Sequence, residues 1–359
     1  MTEAPLLDVV VAVHTAQRPV ERTVGSALAD PELPVRVTVV AHGLDAGDLK
    51  PRLATTADPR LRVMEHHDGI ASPAGPMNAG MLAATAPFVS VIGSDDYYEY
   101  GALGAALERA QGGADIAILP IRHAGGARVL TPLPRYGRMQ RLDPVRDRLF
   151  TRTAPLAIVN RGLMLAAGAP FTEGLASGED LAISTRLWAS GARIDYDSTA
   201  PAYVIGADAS DRVTTALRPL GEELRAVRLL IADRSVGAYS IAVRRALAAK
   251  LARVHLIGAV DRRRDAELLA GELEELSRLA HELDAFAPGF AAPLARAEAR
   301  VFAALAAGEP WRTVADLNRA RHCGPWRDRT LSTRVADSLR TDAVLRRYIR
   351  YRLEPGERL

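Results

Sequence analysis

The feature that most restricts this chain is a series of short, apolar, β-branched runs separated by helix-length segments through its first half. Asp8 to Val13 (DVVVAV), Val35 to Val40 (VRVTVV), Leu61 to Glu65 (LRVME), Pro87 to Ile92 (PFVSVI) and Asp115 to Leu119 read as strands. Pro19 to Ala29, Pro76 to Ala84 and Glu99 to Ala110 read as helices between them. Strands that are apolar throughout and alternate with helices predict a mostly parallel sheet covered on both faces. Ligands of such sheets bind beyond the carboxyl ends of the strands. A helix from Asp180 to Ser190 and strands at Arg193 to Tyr196 and Ala202 to Ile205 extend the pattern.

Two stretches break this rhythm. Arg122 to Arg152 is rich in Gly, Pro and Arg and has little periodicity. A loop of that length predicts a functional or mobile segment, able to close over a ligand. After about Gly206 the chain turns to long Ala/Leu/Arg/Glu stretches, with Leu268, Leu269, Leu273, Leu276 and Leu279 at helical spacing. At 359 residues the chain is long enough for two domains. The expected division is an α/β domain over 1–205 and an all-α domain over 206–359.

Charge and cysteine content narrow the partners. A net charge of +3 is too mild to predict nucleic-acid binding, which usually shows as a concentrated basic face. Cys323 is the single cysteine, which excludes an intrachain disulfide and a Cys-based metal cluster and fits a reducing compartment. The acidic start at Met1 to Pro5 lacks the features of a signal peptide, and no stretch approaches ~20 apolar residues. The expected location is cytoplasmic, at most peripheral at the inner membrane surface. The basic tail, with Arg346, Arg347, Arg350 and Arg352 among Leu345, Tyr348, Ile349 and Tyr351, reads either as a solvated helix face or as a contact for an anionic polymer or membrane.

Three constellations carry chemistry. Gly93-Ser94-Asp95-Asp96 follows the fourth strand directly, where adjacent carboxylates suit a hard divalent cation, or else form a turn with Asp96 capping the next helix. Gly178-Glu179-Asp180 opens a helix; it reads either as a general base or as a capping box between Ser177 and Asp180. Asp68-Gly69 and Gly75-Pro76-Met77-Asn78-Ala79-Gly80 lie between the third strand and a helix, where glycines allow close backbone approach and a helix start suits a phosphate. His66, His67 and His123 lack zinc-ligand spacing and read as surface residues. The arginines at 135, 138, 141, 146, 148 and 152 suit phosphates or a solvated loop equally.

Taken in order, Val9 to Thr15 with Arg18-Pro19, Asp68-Gly69-Ile70 leading to Asn78-Ala79-Gly80, Phe88 to Asp96, and Gly178 to Leu181 with Arg186-Leu187 resemble an inverting family 2 glycosyltransferase of GT-A fold, over about 7–205. The resemblance implies that a sugar passes from a nucleotide-sugar, a UDP-sugar in the first place, to a hydroxyl of a glycan, lipid-linked or small-molecule acceptor. It implies Mn²⁺ or Mg²⁺ on Asp95, and Asp180 as base with Glu179 beside it. It also implies donor contacts from His14, Thr15, His42, Asp68, Asn78, Ser94 and Arg212. The chain departs from the family pattern at Gly93, which replaces the first aspartate of D-x-D, and at His42-Gly43, which stands where many members carry Asp-Asp-Gly. It departs again after the last core strand, where Asp208, Asp211 and Arg212 stand in place of a frequent histidine. Two other readings are a sugar nucleotidyltransferase, which would carry a Gly-rich basic loop at His14 to Arg18, and a non-catalytic nucleotide-sugar or glycan-binding module with a degenerate D-x-D.

Overall fold

The computed structural model describes residues 4–53, 58–166, 170–207, 217–263, 268 and 271–353. The chain divides into two compact units. One comprises Met1–Thr131, Met139–Leu142 and Thr153–Thr214; the other comprises Pro132–Arg138, Asp143–Arg152 and Thr215–Leu359.

Among the described residues, the first unit holds eleven strands: β1 (Leu7–Val13), β2 (Val35–His42), β3 (Leu61–His66), β4 (Phe88–Gly93), β5 (Tyr97–Tyr98), β6 (Ile116–Ile118), β7 (Ile121–His123), β8 (Arg128–Val129), β9 (Ala157–Asn160), β10 (Ile194–Tyr196) and β11 (Tyr203–Ile205). Its helices are α1 (Val20–Ala27), α2 (Ala46–Leu53), α3 (Ala74–Ala83), α4 (Ala102–Gln111), α5 (Arg161–Ala166) and α6 (Leu181–Ala189). The main sheet runs β10-β6-β9-β4-β1-β2-β3, and a smaller sheet runs β5-β11-β7-β8. Only β9 is antiparallel to its neighbours in the main sheet. The central strands are buried on both faces, as their unbroken apolar runs require; Val9, Val11, Val37 and Val39 are all fully buried and lie side by side.

A carboxylate sits in this apolar core. Asp8 is fully buried at the start of β1 and accepts from Arg36 Nε and Nη2, both at 2.7 Å, and from the N–H groups of Thr85 and Ala86. Burial alone would raise its carboxyl, but these four donors outweigh burial and hold it below the ordinary value.

Several elements escaped the sequence reading, α2 and β9 among them. Pro51 lies inside α2 and hides that helix from a propensity argument. The four residues of β9 are too short a run to tell from a loop. The expected helix caps also differ. Asp180 is itself the N-cap of α6, with no capping bond from its side chain, so Ser177 and Asp180 form no capping box. The cap of α4 is Gly101, not Asp96.

The second unit is helical: α7 (Leu220–Glu223), α8 (Arg225–Ala232), α9 (Arg234–Gly237), α10 (Ile241–Leu251), α11 (Ile257–Arg262), α12 (Glu272–Phe286), α13 (Arg296–Ala306), α14 (Trp311–Cys323), α15 (Trp326–Thr330) and α16 (Val344–Arg352). A π-helical turn, Ala252–Leu256, joins α10 to α11. The segment from 122 to 152 is largely irregular, as expected, but its residues are divided between the two units. It contributes β7 and β8 to one unit, and its residues 132–138 and 143–152 belong to the helical unit. Leu133, Leu149 and Phe150 are buried. Asp147 is fully buried and accepts from Arg135 Nε at 2.8 Å and Nη2 at 2.7 Å, so Arg135 holds the chain rather than a phosphate. Arg148 is buried too and donates to the carbonyls of Leu133 and Thr341. No described helix is long and apolar enough to cross a membrane.

Candidate active site

The carboxyl ends of β1, β2 and β4 open into a pocket of about 640 Å³ lined by Ala12, Val13, His14, Arg18, His42, Gly43, Gly69 to Pro73, Pro76, Met77, Gly93, Ser94 and Asp95. A parallel sheet leaves this edge free because its crossovers return behind it. The pocket therefore gathers residues from four separated stretches of sequence: 12–18, 42–43, 69–77 and 93–95.

The two adjacent aspartates part company here. Asp95 lines the pocket and meets Arg18, its Oδ1 2.9 Å from Nη1. Asp96 turns to β11 instead. Its carboxylate accepts from the Tyr203 hydroxyl and, at 2.9 Å, from the Gly206 N–H, while its carbonyl accepts from Thr23 Oγ1 at 2.6 Å. Gly206 passes so close that a Cβ there would lie 1.9 Å from the Asp95 carbonyl oxygen. Arg22 donates to the same carbonyl. The Asp95 turn is thus fixed from three sides, and one carboxylate of the pair is left to the pocket.

A hard divalent cation takes one or two protein carboxylates, with phosphate and water oxygens completing its shell. Asp95 is the sole carboxylate among the pocket-lining residues, and Gly93 adds no ligand. The residues present therefore fit a one-carboxylate site in which a diphosphate supplies further oxygens. Elsewhere, Asp45, Glu65 and His67 bring ligand atoms within 4.8 Å of one another, but all three are exposed and none lines the pocket.

On the β2–β3 side, Asp68 sits between two histidines. Its Oδ1 is 2.7 Å from His42 Nε2 and accepts from the Ile70 N–H at 2.9 Å; its Oδ2 is 3.2 Å from His66 Nε2. The Ile70 N–H and then the two imidazoles hold the Asp68 carboxyl down to about 2, so it is ionised and only accepts. In neutral His42 the proton must then lie on Nε2, which leaves Nδ1 as an acceptor. Nδ1 makes no hydrogen bond among the described residues, and His42 lines the pocket. Gly75 permits this arrangement, because a Cβ there would lie 2.1 Å from Asp68 Oδ2. Sequence reasoning placed His66 on the surface; it is half-buried, and only the fold reveals its bond to Asp68.

Other expected residues take other places. Ser94 is buried and His14 is exposed, and both line the pocket. Thr15 is not among the lining residues; its hydroxyl accepts from the Gln17 N–H at 3.1 Å, a local turn. Asn78 is buried with its amide committed within the protein. Oδ1 accepts from Phe171 N at 2.9 Å, while Nδ2 donates to Phe171 O at 3.0 Å and to Glu173 Oε1 at 2.8 Å. It anchors the strand-like turn whose Thr172 N–H donates to the Glu179 carbonyl at 2.9 Å. Asn78 thereby braces the elbow at Gly178-Glu179-Asp180, where Gly178 has φ +79°. Glu179 and Asp180 are half-buried and lie outside the pocket's lining residues. Arg212, with Asp208 and Asp211, falls outside the described residues. Arg18, absent from the expected donor contacts, is the residue sequence reasoning undervalued; its place between a strand end and α1 was the signal.

Residues 8–164 match the family model described as glycosyl transferase family 2. This region is similar to glycosyl transferase family 2. A relative of the family 2 region is the succinoglycan biosynthesis protein ExoU of Rhizobium meliloti (strain 1021), 27% identical over 212 residues, or 54% of this chain. The match spans 60% of ExoU, less than two thirds of its length. Among solved structures, S. aureus TarS 1-349 in complex with UDP-GlcNAc aligns with a TM-score of 0.75 at 16% identity, covering 89% of this chain and 92% of that one. The same fragment in complex with UDP aligns with a TM-score of 0.69 at 16% identity, with the same coverage. These likenesses establish the fold: a GT-A sheet followed by a helical C-terminal region.

Proposed function

We propose that this protein is a family 2 glycosyltransferase that transfers a sugar, with inversion, from a nucleotide-diphosphate sugar to an acceptor hydroxyl. The observation that carries the reading is the pocket at the β1, β2 and β4 ends. It brings Asp95 with Arg18 and the Asp68-bonded His42 to one cavity. In this reading the donor's diphosphate lies near Asp95 and Arg18, and a divalent cation held by Asp95 would neutralise its charge. Arg18 provides fixed positive charge at the same place.

Asp180 accepts the proton of the acceptor hydroxyl. The hydroxyl oxygen bonds the anomeric carbon from the face opposite the diphosphate, the anomeric carbon–oxygen bond breaks, and the nucleoside diphosphate leaves. Asn78 acts as a positioning residue through the elbow, and Glu179 supports Asp180. The helical unit serves acceptor binding or self-association.

His42 reads the base. Its Nδ1 acceptor suits a ring N–H, as in uracil, and disfavours cytosine, whose ring nitrogen there is itself an acceptor. The UDP complexes of the structural neighbour agree with uracil as the first choice.

The test is titration of UDP, GDP, CDP and ADP by calorimetry with and without Mn²⁺, followed by donor hydrolysis assays with UDP-sugars. The reading expects UDP to bind most tightly and Asp95→Ala to lose the Mn²⁺-dependent part of that binding. Equal affinity for CDP and UDP would remove His42 as the reader of the base. Nucleotide binding unchanged by Asp95→Ala would remove the diphosphate site.

A further inference from the structure

Residues 326–353 of the helical unit carry eight arginines and three aspartates. The surplus of positive charge there exceeds the +3 of the whole chain, so the remainder is net acidic. Helix α16, at the end of this stretch, has no buried residue, and its sequence VLRRYIRYR contains no carboxylate. A solvated helix face ordinarily interleaves acids with bases as i,i+4 pairs; α16 has none.

The face α16 turns to solvent is mixed in a particular way. Arg346, Ile349, Arg352 and Leu353 are its exposed residues and the one that follows it. Spacings of three, four and seven put Arg346, Ile349 and Leu353 on one side. Arg346 Nη1 donates to the Leu339 carbonyl at 2.9 Å, which sets the short 3₁₀ turn Val335–Leu339 beside this face. Leu339 is 66% exposed, Val335 63%, Leu353 53% and Ile349 49%. With Trp326 they make five of the large hydrophobic side chains exposed on the protein, concentrated in this one short stretch. Scattered single apolar residues are ordinary on a surface; a concentration of them rimmed by arginines marks an interaction site.

The cations here also crowd one another. Burial and then the neighbouring Arg346, Arg347 and Arg350 push Arg148 down to about 10, against the opposing pull of Asp342. An external anion would relieve that crowding.

We propose that the α16 face rests on the surface of a bilayer containing anionic lipids, with Ile349, Leu353 and Leu339 entering the headgroup–acyl boundary and Arg346 and Arg352 meeting lipid phosphates. This is the chemistry of an interfacial amphipathic element, in which apolar burial and attraction to anionic headgroups act together. A soluble polyanion would pair with the arginines and gain nothing from the aliphatic side chains. The proposal is independent of the transfer reaction.

The test is co-sedimentation of the full chain with phosphatidylcholine vesicles, with and without phosphatidylglycerol, at low and high salt. Binding is expected only with phosphatidylglycerol and weaker in high salt. Arg346→Gln with Arg352→Gln should weaken it about 30-fold, at ~1 kcal/mol per arginine near the surface. Ile349→Ser with Leu353→Ser should weaken it roughly tenfold while leaving the charge unchanged. Both double variants keep their circular dichroism and UDP affinity. Retained vesicle binding by the serine variant, together with binding of soluble polyphosphate as tight as that of vesicles, would overturn the proposal in favour of a polyanion site. Absence of binding to any vesicle overturns it as well.

Discussion

Asn78→Ala separates two roles that the same residue could hold. In the structure its amide makes three bonds to the Phe171–Glu173 turn. Truncation leaves the N–H and C=O of Phe171, a residue 2% exposed, without partners. Each orphaned buried backbone group costs about 1–3 kcal/mol, so the pair costs roughly 2–6 kcal/mol; the exposed Glu173 adds little. For a unit of this size, at about 2–4 °C per kcal/mol, that lowers the melting temperature by roughly 4–24 °C. The turn also holds the Glu179 carbonyl, so the elbow carrying Asp180 loosens. A misplacement of about 1 Å at a reacting group costs on the order of 100-fold in turnover. UDP affinity should stay within about twofold, because the pocket is lined by other residues. The assays are thermal unfolding, UDP calorimetry and steady-state transfer with a UDP-sugar. The reasoning is refuted if UDP binding falls tenfold while the melting temperature holds, since Asn78 would then contact the donor instead of bracing the elbow.

Asp180→Asn should fold normally and bind UDP, yet lose about 10²–10⁴-fold in turnover, because an amide cannot take the acceptor's proton; near-normal kcat would reduce Asp180 to a helix cap. Asp68→Ala should lower the preference for UDP over CDP as the His42 tautomer is released, whereas Asp68→Asn should restore it by keeping an acceptor toward Nε2; an unchanged ratio in the alanine variant, read by calorimetry, contradicts the assignment. Asp8, Asp68 and Asp147 are all held below the ordinary carboxylate value. Their contribution to stability is therefore complete above about pH 4 and is lost as pH falls through their folded values. Urea midpoints should fall steeply below about pH 4, and Asp8→Asn should flatten that slope; an equally steep profile in the variant would exclude Asp8 as its source. A chain cut after residue 215 should fail to fold or should aggregate, because Leu133, Leu149 and Phe150 are packed in a unit whose remaining residues follow 215; a soluble, monomeric, cooperatively melting fragment would contradict this.

Much of the fold was legible because its signals are local. Runs such as DVVVAV and VRVTVV have few homes other than a doubly covered sheet, and they became β1 and β2 within two residues of the expected bounds. Asp95 was legible for the same reason: a carboxylate immediately after a buried parallel strand emerges at the sheet's carboxyl edge, where the pocket lies.

What the sequence left open was which of several similar groups faces which partner. Asp95 and Asp96 are chemically identical, and only the approach of Tyr203 and Gly206, more than 100 residues away, assigns one to the pocket and the other to the scaffold. Asn78 lies on a helix whose sequence permits either donor contact or bracing, and only the arrival of Phe171 shows what its amide meets. Arg135 and Arg148 read as loop cations until Asp147 and the carbonyls of Leu133 and Thr341 claimed them. Hydrogen-bond partners of polar side chains are set by long-range packing, because a buried donor or acceptor must be satisfied by whatever the folded chain brings within 3 Å or so of it. Periodicity and propensity carry no record of that distance.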